Sequence, residues 1–503
     1  MHITLINTDD EVWAIGMRGI SSVLRKAGHK TTMIFAGASD VPITDQVIQE
    51  IATVVGNSEI ISISSMSRGS MRAKMLIEGL RPLGRLIVWG GIHPTLFPED
   101  CIPHADLVCR GEGEEFMLDL VERVASGKGF ADIPNGAYLF DGRTILNDLR
   151  PPIADLDELP FLDFDFENEY VLDRTGMLVP NAGMREKGVV LFSGARGCNN
   201  SCTYCSNSRL KAIYKGKGHF VRKMSISRFV EAAKVYQQQF PRLTCFYFTD
   251  EDFFSRSEEE MREFAETYPD IVGLPFECMA SPRQITEEKV ALATKAGMYL
   301  IDVGLESGSE RVRREVFHRH ITDEMQYRAA LAVNAYAQQD SVLYFLILGN
   351  PYEQRQDLID GVHLLKALPH PFSLRIYNLV LLPGTNLYEK AVEDGIIKGI
   401  GDSASELDFL AGYDHRTHDW KRQNIYLNGL ISLMGGRSTR WRMGLVPRKF
   451  IPILTSSRVV DYCDCHPLIS EMVVYLGIFR VWIPEAISRS QDKIHRYATR
   501  IMG

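Results

Sequence analysis

The chain has 503 residues, with 45% hydrophobic and 24% charged side chains and a formal net charge of −8. Its length exceeds one ordinary hydrophobic core and predicts roughly two to four domains, and its composition is that of a folded protein. The negative charge excludes a strongly basic protein and gives no support to nucleic-acid binding. We find neither a secretory signal nor a charge-free apolar stretch of about 18 residues, so we expect a cytoplasmic protein without a membrane-spanning helix.

The first 125 residues alternate strand-like and helix-like segments. Strands are predicted at residues 2–7, 30–36, 59–65 and 85–89, and helices at residues 17–27, 47–55, 69–81 and 114–124. Strands that alternate with helices pair in parallel through right-handed crossovers and form a doubly wound sheet. This region is therefore predicted to be a Rossmann-like α/β domain, in which ligands lie at the carboxyl ends of the strands.

The rest of the chain divides into three further regions. Residues 126–185 combine prolines with a run of acidic and aromatic residues, which predicts a linker that wraps between domains. From residue 188 the alternation returns, with strands predicted at 189–193, 244–248, 274–279, 299–304, 341–348 and 374–382 and helices at 226–240, 257–268, 287–296 and 357–368. Six βα units over roughly 200 residues predict a partial (β/α)6 barrel of the TIM type. The predicted boundaries are an N-terminal domain at 1–140, a linker at 141–185, the barrel at 186–400 and a mainly helical C-terminal domain at 401–503.

Three of the nine cysteines follow the first predicted barrel strand. Cys198, Cys202 and Cys205 are separated by three and two residues in one short loop, so their thiols can converge on a single metal centre. Thiolates ligate iron–sulfur clusters, and three ligands for a four-iron cluster leave one iron open. Structural zinc is the alternative, but zinc usually takes four ligands and no second cysteine pair lies nearby. The position after a barrel strand, where barrel enzymes place their chemistry, favours the cluster.

With Tyr204 before the third cysteine, this spacing resembles the Cys-x3-Cys-x-aromatic-Cys motif of the radical S-adenosylmethionine (AdoMet) superfamily. The resemblance implies a [4Fe–4S] cluster on Cys198, Cys202 and Cys205, with AdoMet bound through its amino and carboxylate groups to the open iron. It also implies that an electron, supplied by a flavodoxin or ferredoxin, cleaves AdoMet to methionine and a 5′-deoxyadenosyl radical. The cofactor supplies the difficult chemistry, and the protein positions and shields it.

Later strand ends match the same family. Asp250 and Glu251 end the second barrel strand, where the family contacts the AdoMet amino group, and carboxylates suit an ammonium group. Helix capping is the alternative role for these two residues. Glu306 and Ser307 lie in a Gly-Leu-Glu-Ser-Gly segment similar to the family's Gly-Ile-Glu-Ser-Gly, which lies near the ribose and methionine moieties. The resemblance implies that these four side chains and Tyr204 bind AdoMet.

The N-terminal domain carries a second pattern. Val88–Thr95 reads Val-Trp-Gly-Gly-Ile-His-Pro-Thr, and a Gly-Glu-Gly-Glu run follows at Gly111–Glu114. Paired glycines after a buried strand let the backbone approach a bulky ligand, although a Gly-Gly pair alone is usually a turn. Together with Ser62–Ser65, the pattern resembles the cobalamin-binding domain fused ahead of many radical AdoMet enzymes, over residues 1–125. The resemblance implies that cobalamin is bound by Thr8, Ser64, Ser65, Met66, Gly90, Gly91, His93, Pro94, Thr95, Gly111, Glu112 and Glu114.

One departure concerns the lower face of cobalt. Cobalamin domains that bind the cofactor base-off carry Asp-x-His-x-x-Gly, whose histidine ligates cobalt, but the corresponding stretch from Thr8 to Gly19 contains no histidine. His93 lies in a segment whose histidine is not the cobalt ligand in this family. We therefore expect no protein nitrogen below cobalt, with Met66–Gly69 covering that face. This arrangement should favour methyl transfer from methylcobalamin to a carbon radical.

The C-terminal region leaves alternatives open. Cys463 and Cys465 could ligate a metal, but no fourth ligand is evident, which favours ordinary thiols. Basic and aromatic residues beside apolar ones, at Arg437–Leu454 and Met472–Ile483, are typical of a peripheral membrane contact. A helical cap over the barrel mouth is the favoured alternative. Either arrangement fits a small-molecule or lipid-like substrate.

The combined resemblance implies a cobalamin-dependent radical AdoMet enzyme, and C-methylation of an unactivated carbon is our leading hypothesis. One AdoMet would give the radical that removes hydrogen, methylcobalamin would deliver the methyl group, and a second AdoMet would restore it. The alternative uses the same cofactors without methylation, for an oxidative cyclisation or ring rearrangement as in the anaerobic porphyrin cyclases. The complete cysteine motif argues against a sensor without turnover. The substrate itself cannot be predicted, because fold analogy carries no chemical identity.

Overall fold

The computed structural model describes residues 1–10, 12–38, 40–336, 341–397, 425–434, 448–466 and 468–470, together with residues 472, 473 and 476. These residues fall into two compact units. The first contains Met1–Glu251, Glu266–Pro275 and Leu381–Glu406, and the second contains Asp252–Ala265, Phe276–Val380 and Leu407–Gly503, each as far as it is described.

The N-terminal part of the first unit is a nine-stranded sheet. Its strands are β1 (His2–Asn7), β2 (Lys30–Phe35), β3 (Ile60–Ser64), β4 (Leu86–Gly90), β5 (Leu107–Cys109), β6 (Gly136–Phe140), β7 (Arg143–Leu146), β8 (Glu169–Leu172) and β9 (Leu178–Pro180). The strand order is β7-β6-β5-β4-β3-β1-β2-β8-β9, with β1 to β5 and β8 parallel. The central order β2-β1-β3-β4-β5 is that of a flavodoxin-like doubly wound sheet, whose topological switch point lies between β1 and β3. The predicted Rossmann-like α/β fold is confirmed.

Helices cover both faces of this sheet because neighbouring residues of each parallel strand are buried on opposite sides. The helices are α1 (Ile15–Lys26), α2 (Asp45–Val55), α3 (Ser70–Leu80), α4 (Ile92–Leu96), α5 (Pro98–Cys101) and α6 (Glu114–Ala125). Ile6, Ile34 and Ile63 belong to the core that includes residues of α2 and α3. Leu5 and Met33 belong to the core on the other side, with residues of α1 and α6.

The segment predicted as a linker adds strands to the sheet edges. β7, β8 and β9 all lie between residues 141 and 185, and β7 and β9 pair antiparallel with β6 and β8. A buried ion pair fixes β8, because Arg18 of α1 donates two hydrogen bonds, of 2.7 and 2.9 Å, to the Glu169 carboxylate. Both side chains are fully buried. This polar segment is therefore not only a solvated loop, because it contains a buried carboxylate that is paired with an arginine.

The first unit continues with the strands that carry the cysteine loop. β10 (Val189–Phe192) pairs in parallel with β13 (Cys245–Phe248), and the two-residue strands β11 (Ala195–Arg196) and β12 (Arg222–Lys223) pair antiparallel. The helices here are α7 (Ser206–Ile213) and α8 (Ile226–Gln239). Phe192 packs in an aromatic core with Phe229 and Phe248, at ring-centroid distances of 4.9 and 5.3 Å. This core anchors the strand that leads into the cysteines.

The second unit contains a parallel sheet of β14 (Phe276–Ala280), β15 (Met298–Glu306), β16 (Val342–Leu348) and β17 (Ser373–Asn378). The helices along this part of the chain are α9 (Glu258–Ile271), α10 (Glu287–Ala296), α11 (Asp323–Tyr336), α12 (Arg355–Ala367) and α13 (Asn386–Glu393). The six strands β10, β13, β14, β15, β16 and β17 are those predicted for the partial barrel. A register shift between Gly304 and Glu306 interrupts the pairing of β15 with β16 at its carboxyl end.

In the C-terminal region the described helices are α14 (Ile425–Ser432), α15 (Ile451–Leu454) and α16 (Ser457–Cys465). Cys463 is buried and Cys465 is exposed on α16. Among the described residues, neither cysteine belongs to a group of three close metal-ligating side chains. The basic residues Arg437–Arg442 and most of Met472–Ile483 lie outside the described residues. No helix in the described ranges is long and apolar enough to cross a membrane.

Candidate functional site

The turn that begins the cysteine loop is held by a buried carboxylate. The chain leaves β10 at Phe192, and Asp250 Oδ1 then accepts hydrogen bonds from Gly194 N at 2.6 Å, Ala195 N at 3.1 Å and Ser193 Oγ at 2.8 Å. Asp250 follows β13 almost directly and is fully buried. Because β10 and β13 are parallel neighbours, their carboxyl ends meet, and the side chain at one end can fix the backbone at the other.

The three cysteines lie between this turn and α7. Cys202 is buried, while Cys198 and Cys205 are half-buried. Cys205 N donates to Cys202 O at 3.1 Å, and α7 begins at the residue after Cys205. Burial, and next the nearby Glu251 carboxylate, raise the pKa of Cys205 to about 12. Metal ligation requires the thiolate, so binding of iron must displace this proton.

The donor set fits an iron–sulfur cluster better than a single zinc ion. Tetrahedral zinc with bonds of about 2.3 Å to sulfur needs ligand sulfurs roughly 3.8 Å apart. In the part of the chain that the structure describes, the one group of three ligating side chains within 4.8 Å of one another is His93, Asp100 and Cys101. The cysteine loop supplies three thiols, one fewer than structural zinc usually takes, and three thiols leave one iron of a four-iron cluster open. None of the nine cysteines, all of them described, forms a disulfide.

The residues predicted to bind AdoMet lie in two places. In the first unit, Tyr204 is half-buried beside the cysteines, and Asp250 holds the turn as described. The Glu251 side chain is accessible to solvent, but protein surrounds its carboxyl group, and this burial raises its pKa. A hydrogen bond from Asn207 lowers the pKa and offsets part of that rise. Glu251 therefore offers a carboxylate near the cysteines, whereas the Asp250 carboxylate already serves the loop backbone.

Glu306 and Ser307 lie at the irregular end of β15 in the second unit. Glu306 adopts a positive φ of 66°, which is costly for a residue other than glycine and is concentrated at functional sites. Its Oε1 lies 3.9 Å from Arg319 Nη2. Ser307 is buried, and its Oγ accepts a hydrogen bond from Ser309 N at 3.2 Å. A strained strand end with an ionisable side chain fits a ligand-binding role, and the AdoMet assignments of these residues stay predictions.

The loops predicted to bind cobalamin converge at the switch point of the first sheet. Thr8 follows β1 and is buried, and its Oγ1 donates to Gly69 O at 3.0 Å. Met66 follows β3, its N donates to Asp9 Oδ2 at 2.8 Å, and its side chain is 49% exposed. The apolar Met66 side chain is therefore presented outward at the edge where such sheets bind ligands.

Gly91 brings the loops after β3 and β4 into direct contact. It has a φ of 106°, and a Cβ there would lie 2.5 Å from Ser65 O. Only glycine therefore fits. Ser65 N donates to Gly90 O at 3.1 Å, and Ser65 Oγ accepts from Trp89 Nε1 at 2.9 Å. These contacts form a glycine-lined cradle of the kind that a bulky planar cofactor needs.

Thr95 connects this cradle to the loop after β5. Its hydroxyl donates to Gly91 O at 2.7 Å and accepts from Gly111 N at 2.9 Å. Ser64, the last residue of β3, is half-buried, and Pro94 is buried in α4. The structure thus brings together the predicted residues of three separate loops.

His93 is buried with both ring nitrogens in polar contacts. Nδ1 lies 3.2 Å from Ser67 Oγ, and Nε2 lies 3.0 Å from Asp100 Oδ2. Lys74 Nζ donates to the other Asp100 oxygen at 2.8 Å. The lysine neutralises the carboxylate, so the His93, Asp100 and Cys101 group is an ion-paired network rather than a free metal site. Both ring nitrogens of His93 therefore have polar partners in this arrangement, and the absence of a protein nitrogen below cobalt stays a prediction.

Glu112 and Glu114 have partners that the sequence argument missed. Their carboxylates form ion pairs with Arg196 and Arg222, which lie on β11 and β12 beside the cysteines. The sequence argument also missed Asp9, whose Oδ2 accepts the hydrogen bond from Met66 N. Arg196 lies two residues before Cys198, but a single arginine in a loop carries no pattern that would identify its partners.

Comparisons with known proteins agree with these two sites. The family model of the radical SAM superfamily matches residues 192–365, and that of the B12 binding domain matches residues 1–121. A protein of Pyrococcus horikoshii named as an uncharacterized methyltransferase, PH0819, is 25% identical over 395 residues, which cover 76% of this chain and 79% of that protein. The anaerobic magnesium-protoporphyrin IX monomethyl ester cyclase of Rubrivivax gelatinosus is 26% identical over 328 residues, which cover 60% of this chain and 53% of the cyclase.

Two solved structures share the fold. The radical S-adenosylmethionine methyltransferase TsrM from Kitasatospora setae, with cobalamin and a [4Fe–4S] cluster bound, superposes with a TM-score of 0.66 and 14% identity, over 95% of this chain and 99% of TsrM. The cobalamin-dependent S-adenosylmethionine radical enzyme OxsB, with aqua-cobalamin and S-adenosylmethionine bound, superposes with a TM-score of 0.57 and 18% identity, over 78% of this chain and 55% of OxsB.

Proposed function

The chain belongs to the cobalamin-dependent radical AdoMet enzymes, and we propose that it is a C-methyltransferase that acts on an unactivated carbon of a small-molecule substrate. Its cofactors are a [4Fe–4S] cluster, AdoMet and cobalamin. When bound, they supply a 5′-deoxyadenosyl radical and a transferable methyl group. Methyltransferase names among the similar proteins support the type of reaction, and the nature of the carbon is our inference.

The engaged imidazole of His93 is the observation that carries this proposal. Both ring nitrogens have polar partners within 3.2 Å, and the side chain is buried. The stretch from Thr8 to Gly19, where other cobalamin domains carry the cobalt-ligating histidine, contains no histidine. A cobalamin held here without an imidazole below cobalt suits delivery of a methyl group to a carbon radical.

The geometry of the cysteine loop supports our assignment of the residues that would hold the cluster. Cys198, Cys202 and Cys205 would ligate three irons, since their thiols share one loop whose start is fixed by Asp250. Glu251 and Tyr204 lie beside the cysteines and would contact AdoMet in the first unit. The AdoMet roles of Glu306 and Ser307, which lie in the second unit, stay predictions from the sequence. In each case the protein binds, orients and excludes water, and a flavodoxin or ferredoxin would supply electrons.

For cobalamin, the chain offers a cradle of backbone and small side chains. Gly91, Ser65 and Thr95 close the floor through the hydrogen bonds described above, and Met66 presents an exposed apolar side chain beside them. A planar macrocycle needs this close backbone approach more than it needs charge. Gly111 extends the same surface, because its N is bonded to Thr95 Oγ1.

A second function, oxidative cyclisation or ring rearrangement without methylation, is favoured by one observation. The anaerobic magnesium-protoporphyrin IX monomethyl ester cyclase is 26% identical to this chain over 328 residues. Both reactions would use the same three cofactors, so the site geometry does not distinguish them. The products do.

In the deciding experiment the protein is reconstituted anaerobically with its cofactors and given AdoMet that carries a deuterium-labelled methyl group. Cell extracts serve as the source of substrate. We expect a labelled methyl group in one product, with S-adenosylhomocysteine and 5′-deoxyadenosine formed together. Cyclisation would give 5′-deoxyadenosine and no S-adenosylhomocysteine linked to turnover. The Cys202→Ala protein is the control and should form neither, because it lacks one cluster ligand.

Electron paramagnetic resonance (EPR) of the bound cobalamin gives a second, independent test. We expect a cobalt signal without hyperfine coupling to an imidazole nitrogen. A signal coupled to a histidine nitrogen, which isotope labelling of the protein's histidines would identify, would contradict the proposal.

A further inference from the structure

Four charged side chains connect the loop after β5 to the strands that bracket the cysteines. Arg196 Nη2 donates to Glu114 Oε1 at 2.5 Å, and Arg196 Nη1 lies 3.3 Å from Glu112 Oε1. Arg222 Nη1 lies 2.8 Å from the same Glu112 oxygen. The Glu114 and Arg222 side chains are 5% and 6% exposed, so two members of this charge network are almost completely removed from water.

Three further hydrogen bonds tie Glu112 and Arg222 to the polypeptide on either side of the network. Glu112 Oε2 accepts from Ile153 N at 2.7 Å, and Arg222 Nη1 donates to Ile153 O at 2.8 Å. Glu112 N donates to the hydroxyl of Tyr214, directly after α7, at 3.1 Å. Gly111 has a φ of 83°, and a Cβ there would lie 2.1 Å from that hydroxyl. The approach of Tyr214 therefore requires glycine at residue 111.

The positions of the two arginines show which segments the network connects. Arg196 lies two residues before Cys198, and Arg222 lies opposite it in the β11–β12 pair. Tyr214 directly follows α7, the helix that starts at the residue after Cys205. The loop after β5 therefore holds the cysteine segment upstream, downstream and across from the cluster ligands. On its other side the same loop is bonded to the cobalamin cradle, through Gly111 N and Thr95 Oγ1.

Buried ion pairs stabilise a fold weakly, because desolvation offsets most of the Coulomb attraction, but they require one geometry. Two carboxylates and two guanidinium groups balance in charge, and an arginine fork can satisfy two acceptors in fixed directions. Apolar side chains of similar size would fill the same space without fixing the register of the two loops. The charge network thus suits a role in positioning.

We infer that Glu112, Glu114, Arg196 and Arg222 form a positioning device that fixes the cysteine loop relative to the loop after β5, and so sets the separation between cluster and cobalamin. The inference rests on the proposed cobalamin site. It gives Glu112 and Glu114 a role different from the one predicted from sequence, since their carboxylates face the arginines and hold the corrin only indirectly. They act through the cysteine loop and are positioning residues.

Arg196→Lys is the main test, in the full chain loaded with cluster and cobalamin. Lysine keeps the charge but lacks the fork that spans Glu112 and Glu114. We expect normal iron and cobalamin content, with an altered relaxation of the cobalamin EPR signal by the reduced cluster, because that relaxation depends steeply on their separation. We also expect the ratio of methylated product to 5′-deoxyadenosine to fall by about 10-fold to 100-fold, since a misplacement of about 1 Å can cost that much.

Arg242→Lys is the matched control. Arg242 Nε lies 2.7 Å from Glu186 Oε2 in the same unit, but the two side chains are 75% and 51% exposed. An exposed pair of this kind contributes little, so both the relaxation and the product ratio should stay at wild-type values. Glu114→Gln is a second test variant that keeps the side-chain shape, and we expect it to change both readouts in the same direction as Arg196→Lys.

The outcomes separate this inference from the proposed function. Unchanged relaxation in Arg196→Lys and Glu114→Gln, with both cofactors bound, would overturn the positioning role. Loss of both cofactors in proportion to unfolded protein, with wild-type relaxation in the folded remainder, would also overturn it and leave a purely structural network. Altered relaxation in Arg196→Lys, together with no methylated product from the wild-type protein, would support positioning and contradict methyl transfer.

Discussion

The two loop regions of the first unit are held by different kinds of interaction. Ser65, against which Gly91 packs, is held by hydrogen bonds between uncharged groups of two neighbouring loops, such as Trp89 Nε1 to Ser65 Oγ at 2.9 Å and His93 N to Ser65 O at 3.2 Å. The cysteine loop depends instead on charged side chains from elsewhere, namely Asp250 and the partners of Arg196. A neutral cradle is shaped by close packing, whereas the cysteine loop is shaped by charges whose loss leaves buried donors without acceptors.

The comparison predicts that charge removal has its largest effect at the cysteine loop. Asp250→Ala removes the acceptor of Gly194 N, Ala195 N and Ser193 Oγ, all within 3.1 Å. Hydrogen bonds to a charged group contribute about 1.5–3 kcal/mol each, and they are not additive, so we expect a loss of about 4 kcal/mol in the free energy of unfolding. Iron content after reconstitution should fall with it. Chemical denaturation and iron analysis measure the two effects.

Asp173→Ala is a control of the same local chemistry without the burial. Asp173 Oδ1 accepts from Thr175 N at 2.8 Å, Thr175 Oγ1 at 2.7 Å and Met177 N at 3.1 Å in the exposed turn between β8 and β9. Water can replace those bonds, so we expect a much smaller loss of stability than in Asp250→Ala, and normal iron content. Equal losses in the two variants would show that burial of the carboxylate does not matter.

The neutral cradle should respond to shape rather than to charge. Gly91→Ala places a Cβ 2.5 Å from Ser65 O at a φ of 106°, so we expect a loss of about 2 kcal/mol and strongly weakened cobalamin binding. Iron content should remain normal. Gly16→Ala in α1 is the control, because its Cβ meets no atom within 4 Å, and binding should be unchanged. Absorbance titration with cobalamin measures both, and a wild-type affinity in Gly91→Ala would refute the cradle.

The same contrast explains which parts could be predicted from sequence. Strands such as Lys30–Phe35 and Ile60–Ser64 were predicted to within a residue at each end, because alternation and turn residues are local signals. The cysteine motif and the Gly-Gly pair are equally local. Arg18 and Glu169 are far apart in sequence, and nothing local shows that they pair. Residues 141–185 were therefore assigned to a linker, although β8 and β9 lie there.

The candidate site shows the same limit. Glu112 and Glu114 were predicted to contact cobalamin because they alternate with glycines at a strand end, and the structure places both of them after β5. Their partner Arg196 is 82 residues beyond Glu114, so the direction of their carboxylates depends on how distant segments pack. Local patterns locate a loop, and long-range charges decide what its side chains face.

The acidic run after β13 offers the smallest and most specific test of buried charge. Asp252, in the second unit, is 4% exposed, and burial raises its pKa to about 7, against a hydrogen bond from Ser281 N and the charges of Arg319 and Lys289. Because the folded state holds this proton more tightly than the unfolded state, stability falls as pH rises from about 4 to about 7 and is constant above that range. Asp252→Asn removes the cost of the buried charge but also a partner of the two cations, so we expect a net gain of about 1 kcal/mol at pH 8 and none near pH 4. Thermal unfolding of both proteins across this range measures the difference, and a gain independent of pH would mean that the Asp252 carboxylate is not held protonated by the fold.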